Sequence, residues 1–153
     1  MNRTLAALAL LAPLALTACA WNPVMTPYAF KDAASANAAQ TATVWGFADG
    51  QQIYFRRIDG KGLPSRGGGG YPISLSLLPG TYSVEVFYVN GDGRSAIGNL
   101  PMQVEAGHTY KTEYELSPNG QSVGLYLKDL GTASTCQYAR YQNMSGAARL
   151  ECQ

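Results

Sequence analysis

Between positions 41 and 129 the chain breaks into short runs of β-branched and aromatic residues separated by turn residues, and this punctuation limits the folds open to it more than any other feature. Strands are expected at 41–48 (TATVWGFA), 51–58 (QQIYFRRI), 71–78 (YPISLSLL), 81–89 (TYSVEVFYV), 95–104 (SAIGNLPMQV), 108–117 (HTYKTEYELS) and 121–129 (QSVGLYLKD). Between them lie Asp49-Gly50, Asp59-Gly60, Pro79-Gly80, Asn90-Gly91-Asp92-Gly93, Ala106-Gly107 and Asn119-Gly120, residues that tolerate the positive φ a tight turn requires. Tyr82, Val84, Val86 and Tyr88 share one face of their run, opposite Ser83 and Glu85. Tyr110, Thr112, Tyr114 and Leu116 likewise oppose Lys111, Glu113 and Glu115. One buried and one wet face is the habit of antiparallel sheets, and about seven such strands fit a small antiparallel all-β sandwich spanning residues 41–130. Pro101 cannot donate to a ladder, which assigns its strand to an edge or a bulge.

The N-terminus has a different job. Arg3 precedes an apolar run from Leu5 to Leu16, too short for a bilayer span of about 20 residues and suited to the core of a secretory signal. Leu16-Thr17-Ala18-Cys19 resembles the bacterial lipobox, and that resemblance implies cleavage after residue 18 with lipid, palmitate included, on Cys19. Two or more acyl chains hold a protein stably on a membrane. Ala20 follows the cysteine where an aspartate commonly retains lipoproteins in the inner membrane, so the resemblance points to the outer membrane and its periplasmic face. The same letters also satisfy an A-x-A signal site ending at Ala20, which would release a soluble product. Residues 19–40, rich in Ala, Pro and Asn, read as a lipidated tether with a helical turn near 32–39. Trp21, Tyr28 and Phe30 are too apolar for a pure linker, so part of this stretch is expected either to dock on the domain or to sit at the headgroup level.

If Cys19 is lipidated, Cys136 and Cys152 remain, and an oxidising compartment favours their pairing. A closed loop of about 17 residues contributes about 3 kcal/mol in the chain-entropy model. Metal binding is the competing use, but two thiols and a distant histidine match no metal-site spacing. The tail, 131–153, is then held by this bridge. Ser134 and Gln137 are spaced like a capping box, and "CQYARYQNM" reads as one or two helical turns, with strand as the open alternative.

The segments "RRIDGKG", "LSLLPGTYSVEVFY" and "MQVEAGHTYKTEYEL" resemble the grammar of small bacterial envelope lipoproteins with PEGA-like or transthyretin-like β-sandwich domains. The resemblance covers about residues 41–129 and rests on turn and core residues. It implies a fold, not an activity, and the tetrapeptide naming PEGA domains is absent.

Candidate chemistry is thin. Basic and acidic residues nearly balance, 11 against 10, which speaks against a nucleic-acid partner; Arg56-Arg57 is the one adjacent basic pair, its side chains expected on opposite strand faces. His108, the single histidine, stands just after a turn at a strand start. Glu113 and Glu115 fall on one wet face about 7 Å apart, with Lys111 beside them, as expected of a solvated face. "SRGGGGYP" (65–72) lacks the Lys-Ser/Thr pair of a phosphate loop. Phe87 and Tyr126 alternate out of the core pattern and are candidates for an exposed aromatic patch or a contact with the tail. The expectation is a protein without catalytic residues, metal or cofactor, held on the membrane by its lipid and acting by contact with another envelope protein. The alternative is a periplasmic binding or inhibitor module for a glycan or a secreted enzyme.

Overall fold

The computed structural model describes residues 27–48, 51–65, 70–140 and 148–153. The signal segment and Cys19 lie outside these residues. The strands in chain order are β1 (Tyr28–Ala29), β2 (Ala42–Trp45), β3 (Phe47–Ala48), β4 (Gln51–Ile58), β5 (Lys61–Gly62), β6 (Ser74–Leu77), β7 (Gly80–Val89), β8 (Ser95–Val104), β9 (Thr109–Leu116), β10 (Val123–Asp129), β11 (Cys136–Arg140) and β12 (Ala148–Cys152). A 3-10 turn, Lys31–Ser35, follows β1. The fold is all-β.

Two sheets form the sandwich. The first has the order β1-β6-β2-β9-β10 and the second β3-β4-β7-β8, with β5 paired to β4. Most pairs are antiparallel, as alternation with tight turns predicts, but β1 runs parallel to β6 and β2 parallel to β9. Alternation says which face a residue takes and nothing about which strand lies beside it. Between the sheets Ala42, Val44, Leu75, Leu77 and Tyr110 of the first meet Ile53, Phe55, Ile58, Val84, Val86, Leu100, Met102 and Val104 of the second. Phe55, Ile53 and Ile58 are fully buried. At about 1.5–3 kcal/mol each for burying such a side chain, this one layer is the main source of stability.

The run read as one strand at 41–48 is two strands in two sheets. β2 belongs to the first sheet and β3 to the second, and Gly46 is the pivot. Its N–H donates to the Ile73 carbonyl at 2.8 Å. A Cβ there would collide with the Ile53 carbonyl oxygen and come within 3.0 Å of the Phe55 ring. Only glycine lets the chain cross so close to two other backbones.

Another departure lies in β4. The register with β7 shifts between Phe55 and Arg57, and both flank Arg56 as an inserted residue. A bulge of this kind breaks strict alternation. The two arginines therefore do not diverge: Arg56 Nη1 is 3.4 Å and Arg57 Nε 3.8 Å from Glu85 Oε1. The β4–β5 turn follows the sequence reading, with Asp59 and Gly60 at φ 49° and 75° and Asp59 Oδ1 accepting the Ser83 N–H at 3.0 Å.

Two boundaries move. Residues 27–40, placed in the tether by sequence, belong to the domain: β1 pairs with β6, the Phe30 N–H donates to the Ser76 carbonyl at 3.0 Å, and Phe30 and Ala33 are buried. The tail is a β-ribbon and not a helix, since β11 and β12 pair antiparallel with Cys136 directly opposite Cys152. The two cysteines form the expected disulfide. Two bridged residues facing each other across a hairpin fix an extended register that a helical turn over the same residues would break.

Candidate functional site

The ribbon packs against the first sheet. Leu150 of β12 and Trp45 on the outer face of β2 bury one another, joined by Ile73 and Cys136. The outer face of the first sheet is thereby covered at one end. Backbone bonds hold the approach to the ribbon: the Thr109 N–H donates to the Gly131 carbonyl at 3.0 Å, and the Leu130 N–H to the Thr109 carbonyl at 2.8 Å. Thr109 Oγ1 adds a bond to the Ser134 carbonyl at 2.8 Å.

Beside this contact runs an open groove of about 640 Å³, bordered by Pro27, Thr41, Thr43, Trp45, His108 and Thr132 among others. His108 stands at its rim. Its Nδ1 lies 2.9 Å from Asp129 Oδ2 and its Nε2 3.7 Å from Glu105 Oε2. The ring stacks on Tyr110, whose hydroxyl accepts the Glu105 N–H at 3.0 Å. Partial burial works against a charged Asp129, but the Gly131 N–H at 2.7 Å and His108 outweigh it and hold the carboxyl below the ordinary range. Both nitrogens of His108 thus face carboxylates, and the group clips the start of β9 to the end of β10.

The glutamate pair behaves as the wet-face reading anticipates. Glu113 lies 3.5 Å from Lys128 Nζ and 3.8 Å from Lys111 Nζ. The Tyr126 hydroxyl donates to Glu113 Oε2 at 3.0 Å, and that bond, ahead of burial, raises the phenol's pKa. Glu115 is exposed one repeat further along β9.

The expected aromatic patch does not form as one surface. Tyr126 is exposed on the outer face of the first sheet, among Glu113 and the lysines. Phe87 lies on the outer face of the second sheet, half-buried and stacked on Tyr54 at 6.3 Å. The alternation argument correctly placed both outside the core, but the two sheets point their outer faces in opposite directions. What sequence reasoning missed is the company Phe87 keeps. Tyr54 and Ile97 are its partners across β4 and β8, a juxtaposition that needs strand register to be seen. In the 65–72 stretch, Gly70 lies against the Tyr54 ring and Tyr71 beneath the Arg56 guanidinium; positions 66–69 lie outside the described residues.

No protein-family model matches the chain, and no curated protein or solved structure matches it either.

Proposed function

We propose that the chain is a lipid-anchored protein of a bacterial outer membrane, facing the periplasm and acting through contact with other envelope proteins rather than by catalysis. The observation that carries this reading is Leu16-Thr17-Ala18-Cys19 at the end of a short apolar run, where each position suits lipidation and cleavage. The Cys136–Cys152 bridge supports it, because disulfides persist in oxidising compartments and a secreted chain with one further cysteine leaves that cysteine for the lipid. With β1 beginning at Tyr28, the span from Cys19 to Pro27 reaches at most about 29 Å when extended, so the sandwich works close to the bilayer surface. The side chains of His108, Glu113 and Asp129 form ion pairs between neighbouring strands.

The test is intact mass and membrane fractionation of wild type and Cys19→Ser in a bacterium with two membranes. Wild type is expected to sediment with outer membrane and carry a triacyl mass, with the variant losing both. A soluble mature chain beginning at Trp21 would overturn the reading. The hydroxyl-lined groove beside Trp45 favours a second reading, a periplasmic module for a glycan or a secreted enzyme. Retention on peptidoglycan that is lost in Trp45→Ala with the sandwich intact would select it.

A further inference from the structure

The first half of β8 is unlike the rest of the sandwich. β8 is the last strand of its sheet, so one side of its backbone has no neighbouring strand among the described residues. Leu100, Met102 and Val104 bury themselves in the core, but Ser95, Ile97, Gly98 and Asn99 are all exposed. Ile97, at 58%, is the most exposed large hydrophobic residue described. It sits directly across from Phe87, which sits across from Tyr54, so an apolar row crosses three strands and runs off the open edge. Leu116, also exposed, borders the opposite side of the same segment beside Ser95 and Ala96.

Open edges invite a further strand, and proteins normally block them with charges, prolines or bulges. The outer edge of the first sheet follows that rule, with Lys128 and Asp129 at the end of β10. β8 has no charged residue from Ser95 to Gln103, and its one blocking residue, Pro101, protects only the C-terminal half. A pairing-competent stretch therefore remains at Ser95–Leu100.

We propose that two copies of this chain pair antiparallel through Ser95–Leu100 of β8. The occupant of such an edge has to be an uncharged extended segment with an apolar residue on the matching face, and β8 itself meets that description. With the two-fold axis through Ile97, each Ile97 faces its counterpart, Ser95 meets Asn99 and Ala96 meets Gly98. The Tyr54–Phe87–Ile97 row then continues into its symmetry mate across one sheet. Arg94 falls opposite Leu100, so no like charges meet. Such a contact is isologous and closes on itself as a dimer. It does not depend on the lipid anchor.

The experiment uses the full chain in a bacterium with two membranes, with Ala96→Cys, Ile97→Cys and Gly98→Cys made singly and read on non-reducing gels and by mass. In an antiparallel pair only the residue on the axis faces itself, at a separation that a disulfide spans. Ile97→Cys is expected to give a species of twice the monomer mass, the two neighbours to remain monomeric, and Ile97→Asp to convert the purified wild-type dimer to monomer in light scattering. A monomeric wild type, a cross-link strongest at 96 or 98, or an Ile97→Cys adduct with a different protein would each overturn the proposal.

Discussion

Thr112→Val should make this protein more stable, and the size of the gain follows from one atom. Thr112 is completely buried on the inward face of β9, between Tyr110 and Tyr114 and opposite Leu127 of β10. Its Oγ1 has no hydrogen-bond partner. Burying a hydroxyl without a partner costs about 1–3 kcal/mol in protein mutational data. Valine has nearly the same shape and the same β-branch, so strand preference and packing are retained while the penalty disappears. A gain of about 1–3 kcal/mol, at a urea dependence near 1.5 kcal/mol per molar, moves the unfolding midpoint up by about 1–2 M. The assay is equilibrium urea denaturation of the mature chain with its disulfide intact, followed by circular dichroism. Thr112→Ser supplies the control: it keeps the hydroxyl and removes a methyl, and should lose about 1 kcal/mol. A midpoint for Thr112→Val at or below wild type would refute the reasoning, because it would mean that the hydroxyl makes a bond worth keeping.

Gly46→Ala is expected to cost about 3 kcal/mol, since its Cβ would meet the Ile53 carbonyl and the Phe55 ring, whereas Gly62→Ala, with open space around it, should stay within about 0.5 kcal/mol; equal midpoints for the two would show that the chain does not cross between sheets as described. Replacing Cys136 and Cys152 by serine should release the ribbon, with up to about 3 kcal/mol of loop constraint lost. In a Trp21→Phe background this would appear as a red shift of Trp45 emission as Leu150 leaves it, and unchanged emission would show that the ribbon docks without its bridge. Asp129 has a folded-state pKa below its ordinary value, so it stabilises the fold above about pH 4 and ceases to do so as pH falls through that lower value. The stability difference between wild type and Asp129→Asn should therefore shrink between about pH 5 and pH 2, and because the carboxyl is nearly half exposed the difference is small throughout. A difference independent of pH would remove the ionised carboxylate from the account.

Much of the sandwich was legible because two local signals agree. Alternating apolar residues fix a strand's faces, and a turn dipeptide fixes its end; β4, from Gln51 to Ile58, was bounded by sequence alone, and β8 with its Pro101 was correctly sent to an edge. What stayed hidden depends on distance through space. Nothing in TATVWGFA announces that Gly46 carries the chain from one sheet to the other, because the reason is the Ile53 carbonyl on a different strand. The bulge at Arg56 is equally silent, since Glu85, which both arginines reach, lies nearly thirty positions away. In the tail the capping-box spacing of Ser134 and Gln137 was a true local pattern overruled by a non-local one, the in-register pair of cysteines.

The same distinction explains why the candidate surface was only half visible. Alternation put Phe87 outside the core but could not say that Tyr54 and Ile97 would stand beside it, and it grouped Phe87 with Tyr126, which faces the other way. The two outer faces differ in kind. Around Tyr126 the central carboxylate, Glu113, is met by Lys111, Lys128 and the Tyr126 hydroxyl, so its charge is already answered within the sheet. Around Ile97 the strand itself carries no charge from Ser95 to Gln103, and the backbone edge is open. An apolar row ending at an unpaired strand gains on both counts when another strand is added, through buried area and through ladder bonds, and the first half of β8 is where contact should be sought.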